Sequence, residues 1–196
     1  MKARSFDQAY FERYYFNPRT RIAERAYFDR VAAFAGAYLA MLDCPVKRVL
    51  DVGCGAGLMH RGLRRALPGV HIDACDASEY ACRRFGWLHT TIEELEIAEP
   101  YDLVICHDVL QYLDHAAARR AIEKLAAFTD CALLFGVLTK EDWKENCDRS
   151  LTDSDAFIRS SAWYRKELRR HFRNAGGGMY LKRDANVVLY SLDAWD

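Results

Sequence analysis

Nine residues, V-L-D-V-G-C-G-A-G from Val49 to Gly57, restrict what this chain can fold into more than any other stretch. A short apolar run carrying Asp51 ends at Val52, and Gly53, Gly55 and Gly57 follow at alternate positions. The run reads as a buried strand over residues 48–52, and the glycines as a tight turn into a helix starting near Leu58. Glycine permits positive φ and close approach of the backbone to a ligand, and the free N–H groups at a helix start attract an anion. A small ligand bearing a carboxylate or phosphate is expected there. The dinucleotide fingerprint G-x-G-x-x-G/A fits neither frame, because Leu58 takes its last position counted from Gly53 and His60 counted from Gly55. A nicotinamide-dependent oxidoreductase is thereby disfavoured.

The pattern of apolar run, acid and turn recurs downstream. H-I-D-A-C-D-A-S places a second strand over 71–75 with Asp76 at its end, about 20 residues past the glycines, where a carboxylate can accept hydrogen bonds from both hydroxyls of a ribose. Y-D-L-V-I-C-H-D-V-L-Q-Y-L is a further apolar strand, over 101–106, that runs into polar residues and a helix. Helical signals alternate with these strands. Met59, Leu63 and Leu67 share one face before Pro68 and Gly69, a helix over 78–85 is capped by Ser78 and ended at Gly86, and Asp114 caps a helix with Ala118, Ile122 and Leu125 on one face. Residues 87–90 and 131–138 complete five strands of a parallel sheet, and 92–97 form a turn or short helix. In the last quarter, Tyr164, Leu168, Phe172 and Ala175 make a helical stripe that stops at Gly176. The apolar runs 179–182 and 187–192, joined by four residues, then form an antiparallel hairpin.

D-x-G-x-G-x-G, the acid after the second strand and the segment after the fourth resemble, in this order, the class I S-adenosylmethionine-dependent methyltransferases. The resemblance implies an α/β fold: a doubly wound, Rossmann-like sheet of seven strands, five parallel plus a C-terminal β-hairpin, with helices on both faces. It also implies S-adenosylmethionine as the cofactor. Asp51 and the turn Gly53, Cys54, Gly55 and Gly57 would hold its amino acid end and Asp76 its ribose, with Ala77 beside the adenine. Thr91 and Ile92 would meet the adenine edge, where T-T-I-E-E replaces the acid the family often uses. His107, at the mouth of the fourth strand, would touch the cofactor and is the candidate general base for a hydroxyl or amine acceptor, because imidazole titrates near neutrality. Its alternative role is to end the strand. The D/N-P-P-Y/F motif of methyltransferases that modify planar amide or exocyclic nitrogens is missing, which argues against adenine or glutamine as acceptor.

Two segments add to this core. Phe6, Tyr10 and Tyr14 recur every fourth residue with Phe11, Tyr15 and Phe16 among them, so the first segment is either a static cover or a lid over the ligand. A helix carrying Tyr27, Val31, Phe34, Tyr38 and Leu42 follows and covers a sheet edge. The polar stretch 139–160 is longer than an ordinary connection and is expected to shape the acceptor pocket. Tyr10, Tyr14, Tyr15, Tyr112 and Trp143 are the candidate acceptor-binding residues. The chain is then a single domain over 1–196, with a helical cap or lid at 1–45 and a Rossmann-like core at 46–196.

Composition narrows the partners. A chain of 196 residues with 51% hydrophobic content can bury one sizeable core. Its 28 Lys and Arg balance 28 Asp and Glu, which points to a small-molecule methyl acceptor rather than a nucleic acid or an anionic membrane. No apolar run is long enough to cross a bilayer and the N-terminus lacks the apolar stretch of a signal peptide, so a cytoplasmic location is expected. Seven cysteines without a C-x-x-C pair read as reduced, buried side chains and not as a metal site. Two functions remain open: a methyltransferase acting on a small molecule, and a non-catalytic S-adenosylmethionine-binding module with a regulatory or assembly role.

Overall fold

The computed structural model describes residues 6–21 and 24–190. Strands β1 (Arg48–Val52), β2 (His71–Asp76), β3 (Leu88–His89), β4 (Tyr101–His107), β5 (Thr129–Gly136), β6 (Phe172–Gly176) and β7 (Met179–Lys182) form one sheet in the order β3-β2-β1-β4-β5-β7-β6. The first five are parallel, and β7 runs antiparallel to both β5 and β6. Helices α1 (Gln8–Phe11), α2 (Arg25–Met41), α3 (His60–Ala66), α4 (Glu79–Phe85), α5 (His115–Phe128), α6 (Lys140–Glu145) and α7 (Ser161–Leu168) complete the fold. Strand order reverses between β1 and β4, and in open parallel sheets the crevice beyond the strand ends at such a point receives ligands.

The two-residue period of the strands sorts their side chains between two cores. Val49, Leu103, Ile105, Ala132 and Leu134 pack against Ala35 and Leu39 of α2 and Leu63 of α3. Leu50, Val52, Val104, Cys106, Leu133 and Phe135 face the other way, against Ile122 and Leu125 of α5 and Leu168 of α7. Both faces are thus buried, which is why these strands read as continuous apolar runs. Short-range capping sets the helix ends: Ser78 accepts from the Ala81 N–H, Gly86 closes α4 at φ 81°, and Asp114 accepts from the N–H groups of Ala116 and Ala117.

Several expectations are corrected. Helix α3 starts at His60 rather than near Leu58, because the glycines at φ 69°, 55° and 63° prolong the turn. Phe172 and Ala175 belong to β6, not to a helical stripe. The hairpin is therefore β6–β7, with Gly176 paired to Met179 across Gly177 and Gly178, both at positive φ as a two-residue hairpin turn requires. Residues 187–190 lie outside any strand, and 191–192 fall beyond the described residues. Helix α2 is rotated from its expected face: Ala32, Ala35, Gly36 and Leu39 are buried, while Tyr27 and Phe34 are 46% and 42% exposed. A Cβ on Gly36 would lie 2.8 Å from that of Ala66, so α2 and α3 cross too closely for an aromatic side chain between them.

The cysteine reading also changes. Cys44 and Cys131 form a disulfide 87 residues apart, joining the loop after α2 to the start of β5, a proximity that spacing cannot reveal. Cys54, Cys75, Cys82, Cys106 and Cys147 are free thiols. Among the described residues, no helix is long and apolar enough to cross a membrane, and no group of His, Cys, Asp and Glu is placed to hold a metal ion.

Candidate functional site

Beyond the C-terminal ends of β1, β2 and β4 lie two adjoining cavities of about 230 Å³ and about 160 Å³. Tyr10, Tyr15, Gly53, His107, Asp108 and Tyr112 line both, so they form one divided cleft. Asp51, Cys54 and Tyr14 line the first cavity, and Gly55, Asp76, Ala77, Thr91 and Ile92 the second. All but two of the residues singled out in the sequence are thereby brought together. The exceptions are Gly57 and Trp143. A Cβ on Gly57 would lie 2.8 Å from the Trp87 ring and 3.0 Å from His60 Nδ1, so this glycine serves packing beneath the turn. Trp143, on α6, packs under the Arg149 guanidinium instead, and the 139–160 connection reaches the cleft through Cys147, Thr152 and Asp153.

Each acid in the cleft has its own surroundings. Asp51 is buried and its Oδ2 pairs with His60 Nε2 at 2.9 Å, while its other oxygen takes no donor from the described residues. Asp76 Oδ2 accepts from the Gly55 N–H at 2.8 Å and Oδ1 from the Ser78 N–H at 2.7 Å, tying the glycine turn to the start of α4. Burial pushes its carboxyl above the usual range against the pull of these two donors. Asp108 occupies the left-handed region at φ 58°, rare outside glycine, and this bend turns the chain away from β4. Its Oδ2 lies 2.9 Å from His107 Nδ1, and its Oδ1 accepts from Gln111 Nε2.

His107 feels opposing forces. Burial disfavours its charged form, but the hydrogen bond and charge of Asp108, with the charge of Asp51, outweigh it and hold the imidazole pKa above its ordinary value. Burial likewise pushes Asp108 up, and the imidazole pulls it below the usual carboxylate range on balance. The ring lies edge-on to Phe28, and a Cβ on Gly136 would come within 2.6 Å of Nε2, so only glycine fits beside it. Burial, reinforced by Asp51 and Asp76, keeps the Cys54 thiol protonated.

The N-terminal segment covers the cleft. Residues 12–16 continue α1 as a π-helical turn, and the Tyr15 hydroxyl would lie 2.8 Å from a Cβ on Gly55. The Tyr10 and Tyr112 hydroxyls meet at 3.1 Å, Tyr112 donates to Asp153, and Ser78 Oγ donates to the Phe6 carbonyl. Asp108, Gln111 and Asp153 were missed as site residues. For Asp108 a signal existed in its place directly after the strand-ending His107. For Gln111 and Asp153 the pairings are long-range or need the bend at Asp108, and no local pattern marks them.

The family model described as "Methyltransferase domain" matches residues 50–130. The malonyl-[acyl-carrier protein] O-methyltransferase of Anoxybacillus flavithermus is 35% identical over 120 residues, covering 54% of this chain and 46% of that protein. A ubiquinone biosynthesis O-methyltransferase of Rickettsia typhi is 38% identical over 84 residues, 37% of this chain and 33% of that one. The chain thus spans less than half the length of these two curated relatives. The N-methyltransferase NodS of Bradyrhizobium japonicum, crystallised with S-adenosyl-L-homocysteine, superposes with a TM-score of 0.58 at 18% identity, over 80% of this chain and 88% of that one, and shares the fold. The ubiquinone biosynthesis O-methyltransferase of Aromatoleum aromaticum is 30% identical over 175 residues, covering 76% of this chain and 68% of that protein. With that breadth of alignment and the strand order of the sheet, this chain belongs to the class I S-adenosylmethionine-dependent methyltransferases.

Proposed function

We propose that this chain binds S-adenosylmethionine across both cavities and transfers its methyl group to a small-molecule acceptor. The observation that carries this reading is a pair of carboxylates in the two halves of one cleft, each with accepting capacity left over. Asp51 offers its unpaired oxygen to an ammonium group in the first cavity. Asp76 keeps lone pairs beyond its two backbone donors for the two hydroxyls of a ribose in the second, where Ile92 and Val109 supply apolar walls for a base. Gly53 and Gly55 leave room for the ligand, and Cys54 contributes backbone only. Each cavity is smaller than an ordinary ligand pocket of roughly 300–1,000 Å³, so a ligand of this size needs both. Tyr10 and Tyr15 stand at the shared wall, and residues 6–16 act as a lid that shifts when the cleft fills.

When bound, the sulfonium supplies an electrophilic methyl group, and the protein's task is position and electrostatics. His107 takes the acceptor's proton at Nε2, since Nδ1 is held by Asp108. Tyr10, Tyr14 and Tyr112 line the acceptor side with Phe28 and Leu138. Relatives named as O-methyltransferases support an oxygen acceptor. Calorimetry with S-adenosylhomocysteine, followed by transfer of label from methyl-labelled S-adenosylmethionine to a panel of phenols and carboxylic acids, tests the proposal. Absent binding refutes it, and binding without label transfer to any acceptor favours the non-catalytic module.

A further inference from the structure

A second large concavity lies away from the cleft and shares no residue with it. It encloses about 1,030 Å³ between α7 and the sheet edge formed by β6 and β7, and Arg165, Lys166, Arg169, Arg170, Arg173 and Arg183 line it. Among the described residues only Arg170 has a carboxylate within 4.0 Å, the buried Glu167 at 3.5 Å, which Arg119 also holds. No carboxylate among the described residues pairs with the other five. Arg173 Nε is buried with no hydrogen-bond partner, while its Nη2 donates to the Val187 carbonyl. Like charges gathered without counterions among the described residues repel one another, and an anionic occupant would relieve that repulsion.

We infer that the groove docks a short acidic helix of a partner protein. Arg165 on α7 and Arg169 at its C-terminal cap stand one helical turn apart, about 6 Å along the axis, with the Arg169 N–H donating to the Arg165 carbonyl. Glutamates at the same spacing on a facing helix meet Arg165 and Arg169 in register, with Lys166 and Arg170 flanking them. Five of the six cations are arginines, whose planar fork grips carboxylates bidentately. Half-buried Tyr180 and the Ala162 methyl give the floor an apolar strip for an amphipathic helix. Long polyanions fit worse. Residues 161–183 hold seven of the chain's 28 cations and one of its 28 acids, so the rest of the molecule is net acidic and repels whatever runs beyond the groove. An anionic bilayer, being flat, does not enter a concavity.

Fluorescence anisotropy tests this on the whole protein, using a labelled amphipathic peptide with glutamates at i, i+4. The competitors are a lysine-for-glutamate control peptide, a single-stranded RNA oligomer and inorganic triphosphate. The expected result is binding of the acidic peptide that weakens as salt rises and falls at least about tenfold in the Arg165→Gln/Arg169→Gln variant. That variant melts no lower than the wild type and keeps its affinity for S-adenosylhomocysteine, which separates this result from the fate of the cleft. Equal binding of the control peptide, tighter binding of the RNA or triphosphate, or an unchanged affinity in the variant overturns the inference. A retained charge-reversed pair confirms it independently: Arg165→Glu/Arg169→Glu binds the lysine peptide instead.

Discussion

Replacing Asp76 with alanine separates the ribose-binding role from the architectural one, because this carboxylate has both kinds of partner. Its two oxygens accept from the Gly55 and Ser78 N–H groups at 2.8 and 2.7 Å. The raised pKa shows that burial outweighs these bonds when the carboxyl is ionised, so its charge contributes no net stability at neutral pH. What the alanine variant loses is satisfaction of two part-buried N–H groups, about 1 kcal/mol each, hence about 2 kcal/mol in all. In a chain this long that lowers the melting temperature by about 4–8 °C. Ligand affinity falls separately. Losing a charge-assisted hydrogen bond to a hydroxyl costs about 1.5–3 kcal/mol, tenfold or more in the dissociation constant for S-adenosylhomocysteine. Thermal melts and calorimetry on both proteins read the two effects apart. A lowered melting temperature with the full ligand-induced shift would leave Asp76 as a brace of the glycine turn and refute its place at the ribose.

Three further outcomes are expected. Gly55→Val forces a β-branched residue to φ 55° and sets its Cβ against the Tyr15 hydroxyl, costing roughly 1–2 kcal/mol of stability and abolishing S-adenosylhomocysteine binding; wild-type affinity by calorimetry in the folded variant contradicts this. Hydrogen exchange of residues 6–16 slows when S-adenosylhomocysteine binds if the segment is a lid, whereas equal protection in both states makes it a static cover. Asp108→Asn keeps a side chain that tolerates positive φ but removes the nearer of the two charges that raise His107, leaving burial opposed only by Asp51, so the acid limb of the pH–rate profile and the His107 NMR titration both move to lower pH. In the wild type the raised His107 stabilises below about pH 6.5 and loses that contribution as pH rises through its folded pKa, while the lowered Asp108 stabilises above about pH 3.9 and loses it as pH falls through its own. The pair therefore contributes most between those limits.

Local signals located most of the fold. Ser78 and Gly86 bound α4, Asp114 starts α5, and the apolar run of β1 leads into the glycine turn, each because the determining contact lies within a few residues. Failures cluster where the determining contact is distant. Phe172 and Ala175, three residues apart, face opposite cores as the two-residue period of a strand dictates, and the strand exists because β7 pairs with it. The Gly-Gly turn was a hairpin signal, misread as a helix stop. The outward turn of Phe34 depends on how closely α3 approaches α2, and the Cys44–Cys131 bond on where β5 begins.

The site divides in the same way, and the division explains which residues chemistry could name. The Gly55 N–H donates to the Asp76 carboxylate and the Gly53 N–H to the adjoining Cys75 carbonyl, so the glycine turn after β1 and the end of β2 are joined within one βαβ unit, and the residue types alone announce the cradle. Asp108 announces itself only by its place after His107. Its left-handed backbone is imposed at the end of β4, where its N–H donates to the Gly136 carbonyl of β5 at 2.9 Å. That bend aims one carboxylate oxygen at His107 and the other at Gln111, and Gly136 clears space for the imidazole. The charge state of the candidate base is thus set by a backbone conformation held by the neighbouring strand. A glycine at 108 would adopt the bend more easily and lose the ion pair, so the strain of an aspartate there is retained for its carboxylate.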